Sequence, residues 1–150
     1  MKMQSMLAFA ALIAALAGGF SAGFVRAEDA NDPMLTPDAL ANANGEAIYQ
    51  HVCQGCHMPD GRGATGAGTY PALAGNAHLA SAQFTATTVA LGRHNMPHFA
   101  AQPELGGFEA FVTLHLDDRQ IAAVVNYVRS HFGNHYSDEV TPADIAALHP

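Results

Sequence analysis

Two cysteines and a histidine lie close together in the segment HVCQGCHMPDGRG, residues 51–63. Cys53 and Cys56 are the only cysteines of the 150-residue chain, and His57 follows them directly. Two thiols and an imidazole at this spacing could hold a metal ion or form a redox-active dithiol. They could also bind haem through two thioether bonds, with the imidazole on the iron. The surrounding sequence distinguishes these three kinds of chemistry.

The rest of the chain gives little support to a metal site or a redox-active dithiol. A structural zinc site needs four ligands, and no second C-x-x-C motif follows the first. A thioredoxin-like dithiol begins a helix within a βαβ pattern, whereas no strand of branched residues precedes Cys53 and the flanking segment is rich in glycine. Both interpretations are therefore disfavoured.

Covalent haem attachment uses all three side chains. Residues 53 and 56 lie one helical turn apart and share a face, which matches two vinyl groups on one edge of the porphyrin. The residue after them can then turn its imidazole toward the iron. The sequence therefore predicts one haem, bound by Cys53 and Cys56, with His57 as the first axial ligand.

The N-terminal segment has the pattern of an export signal. Residues 1–27 run from Lys2 through a long apolar stretch to the small or compact residues Val25 and Ala27. We expect cleavage near Ala27 and a periplasmic protein, since bacteria attach haem covalently on the exported side. The alternative is an uncleaved membrane anchor, because the apolar stretch is long enough to span a bilayer.

The charge balance limits the possible partners. The chain has 13 acidic residues against six basic ones, and Lys2 and Arg26 lie within the predicted signal. This excess of negative charge disfavours binding to nucleic acid and to anionic membrane surfaces. We expect contact with a membrane only if the N-terminal segment is not cleaved.

Helices joined by irregular loops are predicted for the chain, with little to suggest a sheet. Helix-capping signals predict helix starts at Thr36-Pro37, Asp117 and Thr141, and a further helix is predicted to start near Asn44. The helix from Asn44 includes both cysteines, and the last helix is expected to end at Leu148. Residues 59–69 form a glycine-rich loop, which we expect to pack closely against a cofactor.

The helix that begins at Asp117 has the clearest pattern. Gln120 stands where a capping box needs it, three residues after the cap. An apolar stripe at helical spacing must be buried; it consists of Ile121, Val124, Val125 and Val128.

One segment offers a second ligand for the iron. Met96 lies in the polar, loop-like stretch LGRHNMPHF, residues 91–99, with no helical stripe to join. A thioether raises the potential of a histidine-ligated haem into the range used for electron transfer. His94 and His98 are alternative ligands, whereas Met58 is covalently adjacent to the first ligand and cannot reach the opposite haem face.

Motifs in order from about residue 45 to residue 132 resemble a class I cytochrome c. In that family, a glycine and an aromatic residue before the haem motif pack on the C-terminal helix, and Gly45 and Tyr49 match them. Val124 and Tyr127 match their partners on that helix. The resemblance implies an all-α, cytochrome c-like fold, with helices and loops wrapped around one covalently attached haem.

Two further motifs match the haem-binding loops of the same family. Pro71-Ala72-Leu73 is similar to the family's Pro-x-Leu, whose proline carbonyl holds the ligand imidazole. Met96-Pro97 followed by Phe99 is similar to the family's methionine ligand and its neighbours. The resemblance therefore implies that Pro71 and Leu73 bind the cofactor together with Cys53, Cys56, His57 and Met96.

The C-terminal part shows a narrower likeness. The stretches AAVVNYVRSHFGN and VTPADIAAL resemble the last cytochrome domain of alcohol and gluconate dehydrogenase cytochrome subunits. The chain has one C-x-x-C-H motif where those subunits have three, and Phe132 occupies a tryptophan-like position. Together with the export signal and the helix signals, the resemblance predicts four segments. They are a signal peptide at 1–27, an N-terminal extension at 28–43, a cytochrome c domain at 44–133, and a C-terminal extension with a short helix at 134–150.

The function implied by this resemblance is one-electron transfer rather than catalysis. With His57 and Met96 on both sides of the haem, the iron has no open position for a substrate. We expect a periplasmic carrier or cytochrome subunit that takes electrons from a dehydrogenase and passes them to a terminal oxidase or another cytochrome of the respiratory chain. The alternative is a haem enzyme or gas sensor in which Met96 is displaced.

The partners of such a carrier need a surface on which to dock. Many class I cytochromes use lysines around the haem edge, whereas the chain has no lysine after Lys2. We therefore expect docking through an apolar patch near the haem edge, with few charged contacts. The residues expected there are Cys53, Met58, Pro97 and Phe99, with Arg62 and Arg93 as the charged contacts.

Overall fold

The computed structural model describes residues 37–66, 68–101 and 114–149. These residues belong to one unit of the chain, residues 34–150. The predicted signal peptide and residues 28–36 of the predicted extension lie outside the described residues. Within the described ranges, no helix has the length and apolar character needed to cross a bilayer.

Helices dominate the described residues, with one short pair of strands. In chain order the elements are α1 (Pro37–Ala41), α2 (Gly45–Ile48), a π-helical turn (Tyr49–Cys53), α3 (Gln54–His57), β1 (Ala64–Thr65), β2 (Thr69–Tyr70), a 3-10 helix (Ala77–Ala80), α4 (Ala82–Leu91), α5 (Asp118–Ser130) and α6 (Pro142–Ala146). The predicted all-α class is confirmed. The two antiparallel strands, which the sequence did not predict, lie in the second half of the predicted glycine-rich loop and at its end.

Side-chain N-caps form at the start of three of the predicted helices. The Asn44 side chain accepts a hydrogen bond from the amide of Ala47 at 2.9 Å, and α2 begins at the next residue. Capping boxes precede α5, from Asp117 and Gln120, and α6, from Thr141 and its third residue. Helix α6 ends two residues before the predicted Leu148, whose amide still bonds to a carbonyl of the last turn.

The apolar stripe of α5 forms the centre of the core. All four predicted residues are buried, namely Ile121, Val124, Val125 and Val128. Helices α2, α4 and α6 all pack against α5. The position of α5 therefore fixes the position of the elements that carry the candidate site.

A glycine allows α2 to cross α5 closely. A Cβ on Gly45 would overlap the carbonyl of Ala123 and approach the Tyr127 Cβ to 2.8 Å. One turn later, the buried Tyr49 lies with its ring centroid 5.7 Å from that of Tyr127. The predicted packing of Gly45 and Tyr49 on the C-terminal helix is confirmed, although Ala123 rather than Val124 meets the glycine.

Arg129 is also buried in α5, with a side chain that is 1% exposed. Its Nε donates to the carbonyl of Leu79 at 3.0 Å, and its terminal nitrogens donate to the carbonyl and the carboxylate of Asp138. The hydrogen bond from Arg129 lowers the pKa of the Asp138 carboxyl below its usual value. The arginine thus ties the C-terminal segment and the 3-10 helix to α5.

Replacing Arg129 by methionine should lower the free energy of unfolding by about 3 kcal/mol, because buried acceptors lose charged donors while the volume is largely kept. Denaturant unfolding of the haem-loaded protein, followed by circular dichroism, measures this change. An unfolding free energy equal to that of the wild type would contradict the role given to Arg129.

Asp138→Asn is the matched control, since it removes only the carboxylate and keeps the backbone contacts. The folded-state pKa of Asp138 is lowered, so the carboxylate stabilises the fold above its ordinary pKa of 3.8. That stabilisation is lost as the pH falls through the lower, folded-state pKa. We therefore expect a smaller loss than for Arg129→Met, present at neutral pH and absent in strong acid.

Candidate functional site

The helix that carries the two cysteines changes its winding just before them. Helix α2 continues into the π-helical turn Tyr49–Cys53, and α3 then begins at Gln54. Single π-helical turns inside α-helices are frequent at functional sites. Here the turn begins at Tyr49, which packs on α5, and ends at Cys53, the first thiol.

The two thiols differ in their surroundings. Both are free, with Cys53 partly buried and Cys56 exposed. Burial, with a smaller contribution from Cys56, raises the pKa of the Cys53 thiol to about 12. A redox dithiol needs a thiolate of lowered pKa, so this environment is opposite to that of a disulfide oxidoreductase. The disfavoured dithiol interpretation is thus weakened further.

The imidazole of His57 is buried and held in a defined orientation. Its Nδ1 lies 2.9 Å from the carbonyl oxygen of Pro71. A carbonyl can only accept, so Nδ1 carries the proton and donates it. Nε2 is therefore the basic nitrogen that is available to a metal ion. The contact predicted between Pro71 and His57 is present.

The loop that carries Pro71 is itself held by backbone and side-chain hydrogen bonds. The amide of Leu73 donates to the carbonyl of Gly61 at 2.7 Å. The buried Asn134 donates to the carbonyl of Leu73 at 2.9 Å and accepts from the amide of Asn76 at 3.2 Å. The Leu73 side chain packs against the core. These contacts fix the carbonyl that orients His57.

The glycine-rich loop packs tightly, and its closest described contacts are with protein atoms. A Cβ on Gly61 would lie 2.8 Å from the ring of Phe132, and one on Gly63 would overlap the backbone at Tyr70. Both glycines have positive φ angles, 69° and 66°. The expected close packing is present, but the partners seen are Phe132 and the second strand.

Met96 lies in a short turn after α4. The helix ends at Gly92, whose φ of 73° favours glycine and where a Cβ would lie 2.7 Å from the carbonyl oxygen of Met96. Arg93 and Met96 exchange two backbone hydrogen bonds, at 2.9 and 3.2 Å. The Phe99 amide then bonds to carbonyls of α4, and its carbonyl accepts from the amide of Leu116. The turn is thereby fastened to α4 and to the segment before α5.

The alternative ligands near Met96 have different environments. His94 is exposed and has a φ of 53°, whereas His98 is partly buried. The ring centroids of His98 and His115 are 6.0 Å apart. Within the described ranges, Nε2 of His98 and Nδ1 of His115 are buried without a hydrogen-bond partner. No group of three or more histidine, cysteine or acidic side chains in the same ranges could hold a metal ion.

The sequence did not indicate the role of Asn134, nor the hydrogen bond that Tyr49 makes near His57. Asn134 supports the Pro71 loop, and the hydroxyl of Tyr49 donates to the carbonyl of Met58 at 2.6 Å, just after His57. Burial raises the pKa of Tyr49 to about 12. In the sequence, Asn134 follows a glycine at the end of a helix. That pattern is common in loops and does not indicate a contact with the Pro71 loop.

Comparison with known proteins identifies the family. The profile of the cytochrome c family matches residues 42–132, more than half of the chain. The chain is 34% identical over 122 residues to the cytochrome c subunit of the quinone-type alcohol dehydrogenase of Gluconobacter oxydans (strain 621H), covering 77% of the chain and 23% of that subunit. It is 31% identical over 110 residues to the fructose dehydrogenase cytochrome subunit of Gluconobacter japonicus, covering 71% of the chain and 22% of that subunit. The chain belongs to the cytochrome c family.

The chain spans about a quarter of the length of these relatives. It is a single-haem, class I c-type cytochrome, an electron-transfer protein that carries covalently bound haem c. The predicted likeness to dehydrogenase cytochrome subunits is confirmed. The donor set fits haem c, because the thiols are one turn apart and His57 presents Nε2 while Nδ1 is bonded to Pro71.

Proposed function

We propose that the protein is a one-electron carrier, or the cytochrome subunit of a dehydrogenase complex, rather than an enzyme in its own right. It accepts electrons from a periplasmic dehydrogenase and passes them to a terminal oxidase or another cytochrome of the respiratory chain. The observation that carries this proposal is the hydrogen bond from His57 to Pro71, which leaves Nε2 free for iron in a cytochrome c fold. The names of the dehydrogenase subunits that the chain resembles support the choice of donor.

The proposed roles of the site residues follow from their positions. Cys53 and Cys56 would hold haem c through thioether bonds, and His57 and Met96 would bind its iron. The Pro71 carbonyl orients the imidazole and increases its basicity, while Leu73 contributes an apolar wall. When bound by these residues, haem c would supply the one-electron couple of its iron.

The location proposed is the periplasm. Residues 1–27 direct export and are removed near Ala27, which leaves an extension at 28–43, the cytochrome domain at 44–133 and the C-terminal extension at 134–150. The motif itself supports this location, because thiols destined for thioether bonds must reach haem on the exported side of the membrane.

Reduction by dehydrogenase-containing membranes tests the proposed donor. Purified, oxidised protein is added to membranes of the source organism together with ethanol, fructose or gluconate in separate reactions. We expect one substrate to reduce the haem within seconds, seen as growth of the α-band, because its dehydrogenase delivers electrons to this cytochrome. Membranes without substrate are the control. No reduction by any of the three substrates would contradict the proposed class of donor.

Carbon monoxide separates the carrier from the haem enzyme or gas sensor. A carrier with a stable Met96 ligand should bind carbon monoxide poorly when reduced, since no coordination position is open. Rapid formation of a carbon monoxide spectrum by the wild-type protein would favour the enzyme or sensor instead.

A further inference from the structure

An exposed arginine and phenylalanine lie beside the turn that contains Met96. The Arg93 guanidinium carbon is 5.3 Å from the centroid of the Phe84 ring, a cation–π arrangement. Both side chains are exposed, Phe84 by 37%, and Leu91 on the same helix is 42% exposed. We call Phe84, Leu91 and Arg93 the distal patch.

Arg93 differs from the other arginines of the described residues. Arg62 pairs with Asp60 at 3.5 Å, Arg119 with Asp117 at 3.5 Å, and Arg129 is buried against its aspartate. Within the part of the chain that the structure describes, Arg93 is the one arginine without a carboxylate partner. Among the described residues, no ion pair occupies its charge.

The stacking on Phe84 prepares this guanidinium for a carboxylate. An arginine that lies over a ring keeps its N–H edge free, and that edge matches the two oxygens of a carboxylate. Fixing the side chain beforehand reduces the entropy lost on binding. Phe84 and Leu91 offer apolar area beside the charge, as in the centre of small protein interfaces.

The distal patch is also close to the proposed iron ligand. Arg93 and Met96 are joined by two backbone hydrogen bonds within one turn. A partner bound at Arg93 would therefore contact the chain three residues from the ligand, and electron transfer is faster over shorter distances.

We propose that the distal patch is the docking surface for a redox partner protein that presents a carboxylate flanked by apolar side chains. Arg93 binds that carboxylate, and Phe84 and Leu91 cover the apolar part. This inference rests on the proposed function and specifies its partner. It differs from the surface expected from the sequence, of which it keeps Arg93 and leaves out Arg62. Its apolar part consists of Phe84 and Leu91 in place of Cys53, Met58, Pro97 and Phe99.

A paramagnetic anion locates the docking charge without electron transfer. Hexacyanochromate(III) is titrated into reduced, haem-loaded, isotope-labelled protein, and tris(ethylenediamine)chromium(III) is the cationic control. We expect the anion to broaden NMR signals at residues 84, 91 and 93, and the cation to leave them sharp. Arg93→Gln should abolish this broadening, whereas Arg62→Gln, the matched exposed arginine, should retain it.

Kinetics test the same surface with the protein partner. With whichever substrate drives reduction in the membrane experiment, Arg93→Gln should slow haem reduction about fivefold at low salt. Added salt should lower the reduction rate of the wild type, because it screens the charge of Arg93. It should have little effect on the rate of Arg93→Gln, which lacks that charge. The reduction rate of Arg93→Lys should lie between those of the wild type and Arg93→Gln, since lysine keeps the charge but lacks the planar guanidinium that binds both carboxylate oxygens.

The outcomes separate this inference from the proposed function. An unchanged charge-transfer band in Arg93→Gln shows that Met96 ligation is intact, so a slower rate reports docking. Broadening centred on Arg62 or Arg119, or absent altogether, would overturn the distal patch even if the membranes reduce the protein. Failure of the membranes to reduce any form would count against the proposed donor, while the NMR comparison still decides on Arg93.

Discussion

Protein in which Cys53 and Cys56 are both replaced by alanine is expected to contain no covalently bound haem. The thioether bonds need both sulfur atoms, and the chain has no other cysteine to replace them. Without the cofactor, the apolar residues that line its site lose their main contact, so most of the protein should be unfolded or degraded. Haem staining after denaturing electrophoresis measures the attachment, and circular dichroism measures the fold.

Gln54→Ala is the control for this experiment. Gln54 lies between the two cysteines in α3, so its substitution changes the same segment without removing a sulfur atom. We expect this variant to retain covalent haem at close to the wild-type yield. A double cysteine variant that kept its covalent haem, or that gave a folded, soluble, haem-free domain, would refute the attachment proposed here.

Met96→Ala is expected to remove the sulfur-to-iron charge-transfer band of the oxidised protein completely. It should also lower the reduction potential, because a thioether ligand favours the reduced iron. The open coordination position should let the reduced variant bind carbon monoxide readily, unlike the wild type. Visible absorption spectra and a redox titration measure these changes.

His94→Ala and His98→Ala are the matched controls, since both residues lie within two positions of Met96. Both variants should keep the charge-transfer band and bind carbon monoxide poorly. If one of them altered the band while Met96→Ala did not, the second ligand would be that histidine. Met58→Ala adds a methionine control, because Met58 directly follows the first ligand.

Local sequence signals predicted the parts of the fold that depend on neighbouring residues. Asp117 and Gln120 form a capping box within one turn, and the Asn44 cap likewise needs only the first turn of its helix. The Pro71 contact with His57 followed from family resemblance, not from any local pattern. Where the stabilising partner is three residues away, the sequence alone is sufficient.

Features that depend on distant residues were missed. Arg129 looks like a surface charge in the sequence, and its burial depends on the carbonyl of Leu79, fifty residues away. Helix α4 was not predicted, and its adjacent residues Thr87, Thr88 and Val89 are β-branched, which lowers the helix propensity of the segment. Its one local signal is the cap at Ser81, whose side chain accepts from the amide of Phe84.

The crossing of α2 and α5 has a consequence for the order of events during biosynthesis. Gly45 and Ala123 touch in the finished fold, yet the ribosome makes Ala123 long after Gly45 and the cysteines. Contacts between residues so distant in the chain form late, because a long loop must close first. The haem-attachment segment therefore leaves the ribosome before the helix on which Gly45 packs has been made.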